Sequence, residues 1–376
     1  MDNNEKIFRD ENNSESSSPQ EPVSVRPPYS FGRLYGKMTW IFFAIVMMVL
    51  GANVFAVVAM YITGHYFPGI SSKNWYQTTV SGIAFYVVGV SLAVIMLLFS
   101  ATDSDSITQT KMTFGKWMKY LCMTFAFMYT GNFVGTTVTT LLGKFLGHEI
   151  TNPVQSALDG ASWTASIIVM VIAAPILEEL VFRKLLIDRM SMFGEKTAIF
   201  ASALAFGLVH GNFSQFFYAF AIGLLFGYIY TKTKNVWYTV ALHMVVNGVC
   251  GILTGYLAGK IDLDAVQSAL ERLPEAAPEE MAKIMSELMQ YAVPAILLLI
   301  VSGLVFATAI VGIVFFAKSV RKVTLEPCKY DISAENVRKA AYLNVGIIIL
   351  YVIMALSFIA SLETQPEDVI AGAIIM

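Results

Sequence analysis

Apolar runs long enough to cross a bilayer alternate with short polar connections along almost the whole chain. They fall at about 38–63, 80–101, 116–142, 163–190, 194–212, 214–231, 236–258, 291–318 and 341–361. A helix needs about 20 such residues to cross a ~30 Å hydrocarbon core, so the pattern predicts nine spans in an all-α, polytopic transmembrane helix bundle. Residues 1–36 are polar, with Ser16-Ser17-Ser18-Pro19 and Pro27-Pro28. Such a stretch cannot bury enough apolar surface to fold, and a disordered cytosolic tail is expected. The first apolar run begins too late and runs too long for a cleavable signal peptide.

The remaining chain divides into N-terminal transmembrane helices over 37–162, a core over 163–258, an insert over 259–290 and C-terminal transmembrane helices over 291–376. The insert carries seven acids and three bases and is broken at Pro274 and Pro278. Met281, Ile284, Met285 and Leu288 recur at helical spacing within it. It reads as an extracytoplasmic amphipathic cap, with a lid or docking element as the sharper alternative.

Charge decides orientation. With nine spans and a cytosolic N-terminus, all of the 25 basic residues except Lys73, Lys144, Lys260, Arg272 and Lys283 are assigned to the inner side, as the positive-inside bias requires. The C-terminus then lies outside, and the lipid bilayer is a partner in the fold. With 56% hydrophobic residues, 14% charged residues and a mean hydropathy of +0.63, the composition is that of an integral membrane protein, and a multi-pass plasma-membrane location is expected. A net charge of −2 and scattered basic residues leave no nucleic-acid footprint. Cys122, Cys250 and Cys328 lie far apart and form neither a disulfide framework nor a thiolate metal site.

Two patterns bear on packing. Gly223-Leu224-Leu225-Phe226-Gly227 is a small-xxx-small segment of the kind that lets membrane helices approach closely, and it is expected to pack the sixth span against a helix of the core. Trp40, Trp75, Trp117, Trp163 and Trp237 fall near predicted span ends, where indole rings anchor at the membrane interface.

The candidate chemistry begins in the fourth span. Ala174-Pro175-Ile176-Leu177-Glu178-Glu179-Leu180-Val181-Phe182-Arg183 puts three ionisable groups where lipid should be, and such residues survive mainly where they face a protein interior and have a task. Glu179 and Arg183 stand at i,i+4 and can neutralise each other. Glu178 lies about 100° round the helix and needs another partner. Pro175 removes an amide donor and clashes with the preceding turn, loosening the helix near the carboxylates. Two histidines lie in later spans, in Phe206-Gly207-Leu208-Val209-His210 and His243-Met244-Val245-Val246-Asn247, each motif placing its ends on one helix face. A lone intramembrane histidine is usually a packing residue, but here six polar side chains on three helices fall between Glu178 and Asn247. Counted from the cytosolic helix ends, Glu178, His210 and His243 lie at depths spread over roughly 10 to 24 Å at about 1.5 Å per residue.

A carboxylate beside imidazoles in a water-poor pocket suits hydrolysis: the glutamate as general base for water, an imidazole to hold the water or polarise a carbonyl, and Asn247 as donor to a developing oxyanion. The same atoms suit zinc held by Glu178, His210 and His243 with one position open. Both routes cut an amide.

These motifs, APILEELVFRKLL with its EExxxR core, then FGLVHG, then HMVVN, resemble the CAAX protease and bacteriocin-processing (CPBP, Abi) family over roughly residues 160–250. The resemblance implies an intramembrane endopeptidase acting on peptide or membrane-protein substrates. It implies that Glu178 activates water, His210 and His243 complete the site, Asn247 donates to the oxyanion, and Glu179 and Arg183 support them; it leaves open whether a metal takes part. Two other classes compete: a bacteriocin immunity or peptide-binding membrane protein without turnover, and a transporter using the buried carboxylates as a proton relay. Against the transporter, the chain carries no internal repeat of the inverted-topology kind.

Overall fold

A computed structural model describes residues 26–71, 73–100, 109–150 and 163–363. The expected tail up to residue 25 and the segment beyond Glu363 lie outside them. The bundle is built from α1 (Phe31–Tyr66), α2 (Trp75–Leu98), α3 (Phe114–Leu146), α4 (Trp163–Phe193), α5 (Glu195–Leu208), α6 (Phe213–Thr233), α7 (Trp237–Ala258), α8 (Leu263–Arg272), α9 (Pro278–Val320), α10 (Ala334–Tyr342) and α11 (Val345–Glu363). Among the described residues there is no strand, only an isolated bridge between Pro28 and Asp331.

Seven of these helices, α1, α2, α4, α6, α7, α9 and α11, are long and apolar enough to cross a membrane. The protein is therefore an all-helical, multi-pass membrane protein. The two other predicted spans are helices too, and each falls short for a separate reason. α5 has 14 residues, about 21 Å of helix at ~1.5 Å per residue. α3 has 33 residues, but its Thr, Gly, Tyr and Asn content dilutes its hydropathy.

Those polar and small residues have a packing role. A Cβ on Gly131 would fall inside the backbone at Phe217–Tyr218, and one on Gly135 would lie 2.8 Å from the Ser214 carbonyl oxygen, so α3 and α6 are in backbone contact. Gly312 of α9 lies against the Cys122 carbonyl on the other side of α3. Gly312→Ala is accordingly expected to lower stability by about 1–3 kcal/mol through overpacking, read as a lower melting midpoint in detergent. Gly303→Ala, in the same helix but facing open space, is expected to be neutral or slightly stabilising.

The small-xxx-small segment behaves as expected. A Cβ on Gly223 would meet Ala203 Cα at 3.0 Å and one on Gly227 would meet Ile199 Cγ2 at 3.1 Å, so α6 packs on α5, the helix that leads to His210. Trp75, Trp117, Trp163 and Trp237 stand in the first turns of their helices, whereas Trp40 lies well inside α1. Trp40 Nε1 donates to the Met96 carbonyl at 2.9 Å, Trp117 Nε1 to the Tyr238 carbonyl at 3.2 Å, and the Trp163 ring meets Tyr256 edge-on at 4.9 Å.

Local signals set the helix ends. Ser30, Thr113, Asn212, Asp262 and Ser333 each cap a helix by accepting an amide three residues on, supplying partners for otherwise orphan donors. The cap at Ser30 starts α1 at Phe31, inside the segment expected to be tail. The insert also differs from expectation in form. Its first half is the short helix α8, but its second half is continuous with the eighth predicted span, giving the 43-residue α9, about 65 Å long. Pro278 stands at the start of α9, where a missing amide costs nothing, so it opens the helix. α8 folds back on this extension through buried Ala269 and Ile284, with Arg272 and Glu287 paired at 2.7 Å on the surface.

One end of the bundle is strapped by polar contacts. Glu195 accepts from Lys232 at 2.6 Å and from the Glu326 amide at 2.9 Å. Lys234 pairs with Asp188 at 3.4 Å, Arg189 Nε donates to the Leu97 carbonyl at 2.6 Å, and the Lys329 amide donates to the Met192 carbonyl at 2.9 Å.

Candidate active site

The carboxylates lie on a helix that is not a regular α-helix. Within α4 the stretches Ile167–Ala173 and Leu180–Leu185 are π-helical and flank a short α segment, Ala174–Glu179. Pro175 stands near the start of that segment, and the widened turn before it accommodates a ring that has no amide to donate. Further π-helical stretches occur at Ile83–Gly89 in α2 and at Asn247–Leu253 in α7. Such insertions turn side chains out of their regular register and are common at functional sites.

The two glutamates meet different surroundings, as their ~100° separation predicts. Glu179 is fully buried. Its Oε2 lies 3.1 Å from Arg183 Nε, close enough for an ion pair although the N–H points off the line of a hydrogen bond. Arg183, also fully buried, donates from Nη1 to Ser202 Oγ at 3.1 Å and stacks its guanidinium 4.6 Å from the centre of the Phe206 ring. Ser202 in turn donates to the Phe182 carbonyl at 2.5 Å. A buried ion needs this many partners, because desolvation otherwise outweighs the attraction of the pair.

His243 joins the two glutamates. Its Nδ1 lies 3.2 Å from Glu179 Oε1 and its Nε2 lies 3.8 Å from Glu178 Oε2. A carboxylate accepts, so in the neutral ring Nδ1 carries the proton and Nε2 presents its lone pair toward Glu178. At 3.8 Å the Glu178 contact is too long for a hydrogen bond. Phe206 and Phe226 wall the imidazole, with ring centroids at 5.9 and 6.0 Å. Glu178, 8% exposed, is held at its other oxygen, Oε1, by the Tyr86 hydroxyl at 3.0 Å.

His210 differs from expectation. α5 ends at Leu208, and His210 stands in the turn beyond it, ahead of Gly211 at φ +67°. The i,i+4 relation to Phe206 survives as a cap: His210 Nδ1 donates to the Phe206 carbonyl at 2.7 Å, which again leaves Nε2 without the proton. Asn247 stands one turn beyond His243 and donates to the Met170 carbonyl at 2.8 Å. Among the described residues it makes no hydrogen bond to Glu178 or to either histidine.

The structure thus links Glu178, Glu179, Arg183 and His243 directly, brings His210 to the same aromatic wall through Phe206, and ties Asn247 to the widened turn of α4. Tyr86 is the group that the motifs did not reveal. Tyr218 is another aromatic neighbour of His210, with ring centroids 6.4 Å apart, and its hydroxyl accepts from Gln215 at 3.0 Å. For the zinc alternative, Glu178 Oε2 and His243 Nε2 are spaced roughly as two ligands of one ion would be. Among the described residues, however, no three His, Cys, Asp or Glu side chains converge on a metal position, so the groups as placed do not complete a metal site.

Chemically this is a carboxylate and an imidazole with two acceptor atoms facing across a gap, deep in an all-helical membrane protein. The comparisons agree on the class. Residues 160–249 match the family model of type II CAAX prenyl endopeptidases, Rce1-like. A Bacillus subtilis (strain 168) protein named "Putative membrane peptidase YdiL" is 35% identical over 85 residues, which are 22% of this chain and 34% of that relative. The chain therefore matches about a third of the length of this curated relative. No solved structure matches it significantly. Glu178, Glu179, Arg183, His210, His243 and Asn247 all lie within the matched residues, so the segment that holds the site is the one similar to this family of membrane peptidases.

Proposed function

We propose that the protein is an intramembrane endopeptidase that hydrolyses peptide bonds of membrane-associated or secreted peptides, with Glu178 as general base. The observation that carries this reading is the gap between Glu178 Oε2 and His243 Nε2, 3.8 Å wide. A water in contact with both atoms would give one proton to each acceptor, leaving an oxygen lone pair for a substrate carbonyl. Glu179 supports the arrangement by holding the His243 tautomer.

In the reaction, Glu178 takes a proton from water as the oxygen attacks the scissile carbonyl carbon. The tetrahedral intermediate forms with its charge on the former carbonyl oxygen. Glu178 then passes the proton to the amide nitrogen, the C–N bond breaks to give a carboxylic acid and an amine, and the acid's proton passes to the amine as the two products leave. Asn247 uses one amide N–H on Met170 and has a second for the oxyanion. His210, against the same Phe206 ring, presents its unprotonated Nε2 as an acceptor for a substrate N–H. The name of the matched family makes prenylated CAAX tails one candidate substrate; bacteriocin-like secreted peptides are another.

The membrane placement is part of the proposal. We assign nine crossings, with the N-terminus cytosolic, the C-terminus extracytoplasmic and the strapped end of the bundle inside a bacterial-type plasma membrane. Supporting this, Pro27, Leu97, Met192, Glu195, Lys232 and Glu326 all meet at that one end, as alternating passes that include α3 and α5 require. Residues 163–258 form the catalytic core, and α8 with the start of α9 forms the external cap.

The test is reconstitution of the purified protein with a membrane-protein fraction in vesicles, followed by mapping of new peptide termini. His243→Ala is expected to reduce their formation by about 10²-fold or more. Equal formation by wild type and variant would remove His243 from the reaction, and no new termini above protein-free vesicles would favour peptide binding without turnover.

A further inference from the structure

The two oxygens of Glu178 have different partners. Oε1 accepts from the Tyr86 hydroxyl at 3.0 Å, while Oε2 faces His243 Nε2 at 3.8 Å. Tyr86 belongs to α2, far outside the matched segment 160–249, and nothing in the motifs calls for it.

Its position is fixed by packing on both sides of the π-helical stretch Ile83–Gly89. Ala84 and Gly89 are buried in that stretch. A Cβ on Gly89 would lie 2.6 Å from the Met48 carbonyl oxygen and 3.2 Å from the Ala52 Cβ, so this stretch sits directly on α1. At its other end a Cβ on Gly82 would lie 3.8 Å from Val169 Cγ1 of α4. The Phe85 ring meets the Tyr86 ring edge-on at 5.2 Å. The hydroxyl is thus presented to α4 by backbone that has little room to move.

A glutamate's terminal torsion is broad and roughly two-fold, so an untethered carboxylate would rotate and offer its two oxygens interchangeably. We propose that Tyr86 is a positioning residue for Glu178: its hydroxyl occupies Oε1 and leaves Oε2 as the atom that faces His243. The proposal rests on the reading of Glu178 as the base. It makes α2 a wall of the active site, so the matched segment by itself is an incomplete site.

The test uses the full-length protein in vesicles, with Tyr86→Phe, Phe85→Leu, Glu178→Gln and the double variant Tyr86→Phe/Glu178→Gln. The first readout needs no substrate: the infrared band of the Glu178 carboxyl, assigned by its absence in Glu178→Gln. The second is the rate of new terminus formation from co-reconstituted membrane proteins. Tyr86→Phe is expected to shift the Glu178 band and slow the reaction on the order of 10-fold, as for loss of a hydrogen bond to a charged group. In the double variant the Tyr86 change should add nothing. Phe85→Leu, which disturbs the same packing but keeps the hydroxyl, should leave band and rate near wild type.

A Tyr86→Phe protein with the wild-type band and rate would overturn the proposal. So would a Phe85→Leu protein that reproduces the Tyr86→Phe losses, since the role would then be packing alone. Equal rates for wild type and Glu178→Gln would instead overturn the catalytic reading beneath it.

Discussion

Glu178→Gln is expected to slow peptide-bond hydrolysis by about 10²–10⁴-fold, the range a positioned general base contributes, with little change in the melting midpoint. The amide keeps the shape of the side chain and an oxygen that can still accept from Tyr86, but it carries no charge and cannot take a proton from water. The fold should tolerate it because Glu178 neutralises no buried cation. The Arg183 charge is matched by Glu179, and Glu178 keeps a small exposed surface. Rates from purified protein in vesicles, compared with melting midpoints from the same preparations, separate the two effects.

Arg183→Met should fail in the opposite way, through stability first. The guanidinium is fully buried, lies 3.1 Å from Glu179 and covers the Phe206 ring at 4.6 Å. Methionine fills much of the volume but leaves Glu179 as an uncompensated buried anion, and breaking such a pair costs about 3–5 kcal/mol. That is a large share of the roughly 5–15 kcal/mol that holds a typical domain together, so a strongly lowered melting midpoint and poor recovery of folded protein are expected. Adding Glu179→Gln should recover part of the midpoint, because no unpaired charge then remains, but not activity, because His243 loses the anion that holds its tautomer. An Arg183→Met protein as stable as wild type would show that this pair contributes nothing to the fold.

Much of the site is legible in the sequence because burying charge in lipid is costly and rare. Glu178, Glu179 and Arg183 are conspicuous among apolar neighbours, their 100° spacing foretells two environments, and Glu179 does pair with Arg183. The depths of Glu178 and His243 look discordant only when helix ends are taken as level. α4 in fact runs on to Phe193, so its end and the start of α7 at Trp237 are not at one height, and the two side chains meet.

What escapes is set by tertiary contacts and by departures from the regular helix. The π-helical stretches have no simple periodic signature. The sequence puts His210 inside a helix because its run stays apolar, whereas the chain turns at Gly211 and the imidazole becomes the cap. Tyr86 is invisible there because a tyrosine in an apolar span is ordinary until its hydroxyl is seen to meet a carboxylate. The join between the insert and α9 is hidden by Pro278, which reads as a breaker in sequence but serves as the first residue of a helix.

The proposed reaction splits water between Glu178 and His243 and adds it to a peptide bond. It is tested most directly by running the vesicle reaction in ¹⁸O-labelled water and reading the newly formed C-termini by mass spectrometry. One ¹⁸O atom per new C-terminus is expected with the wild-type protein, and almost no new termini with Glu178→Gln. Labelled termini formed equally by both proteins would contradict it.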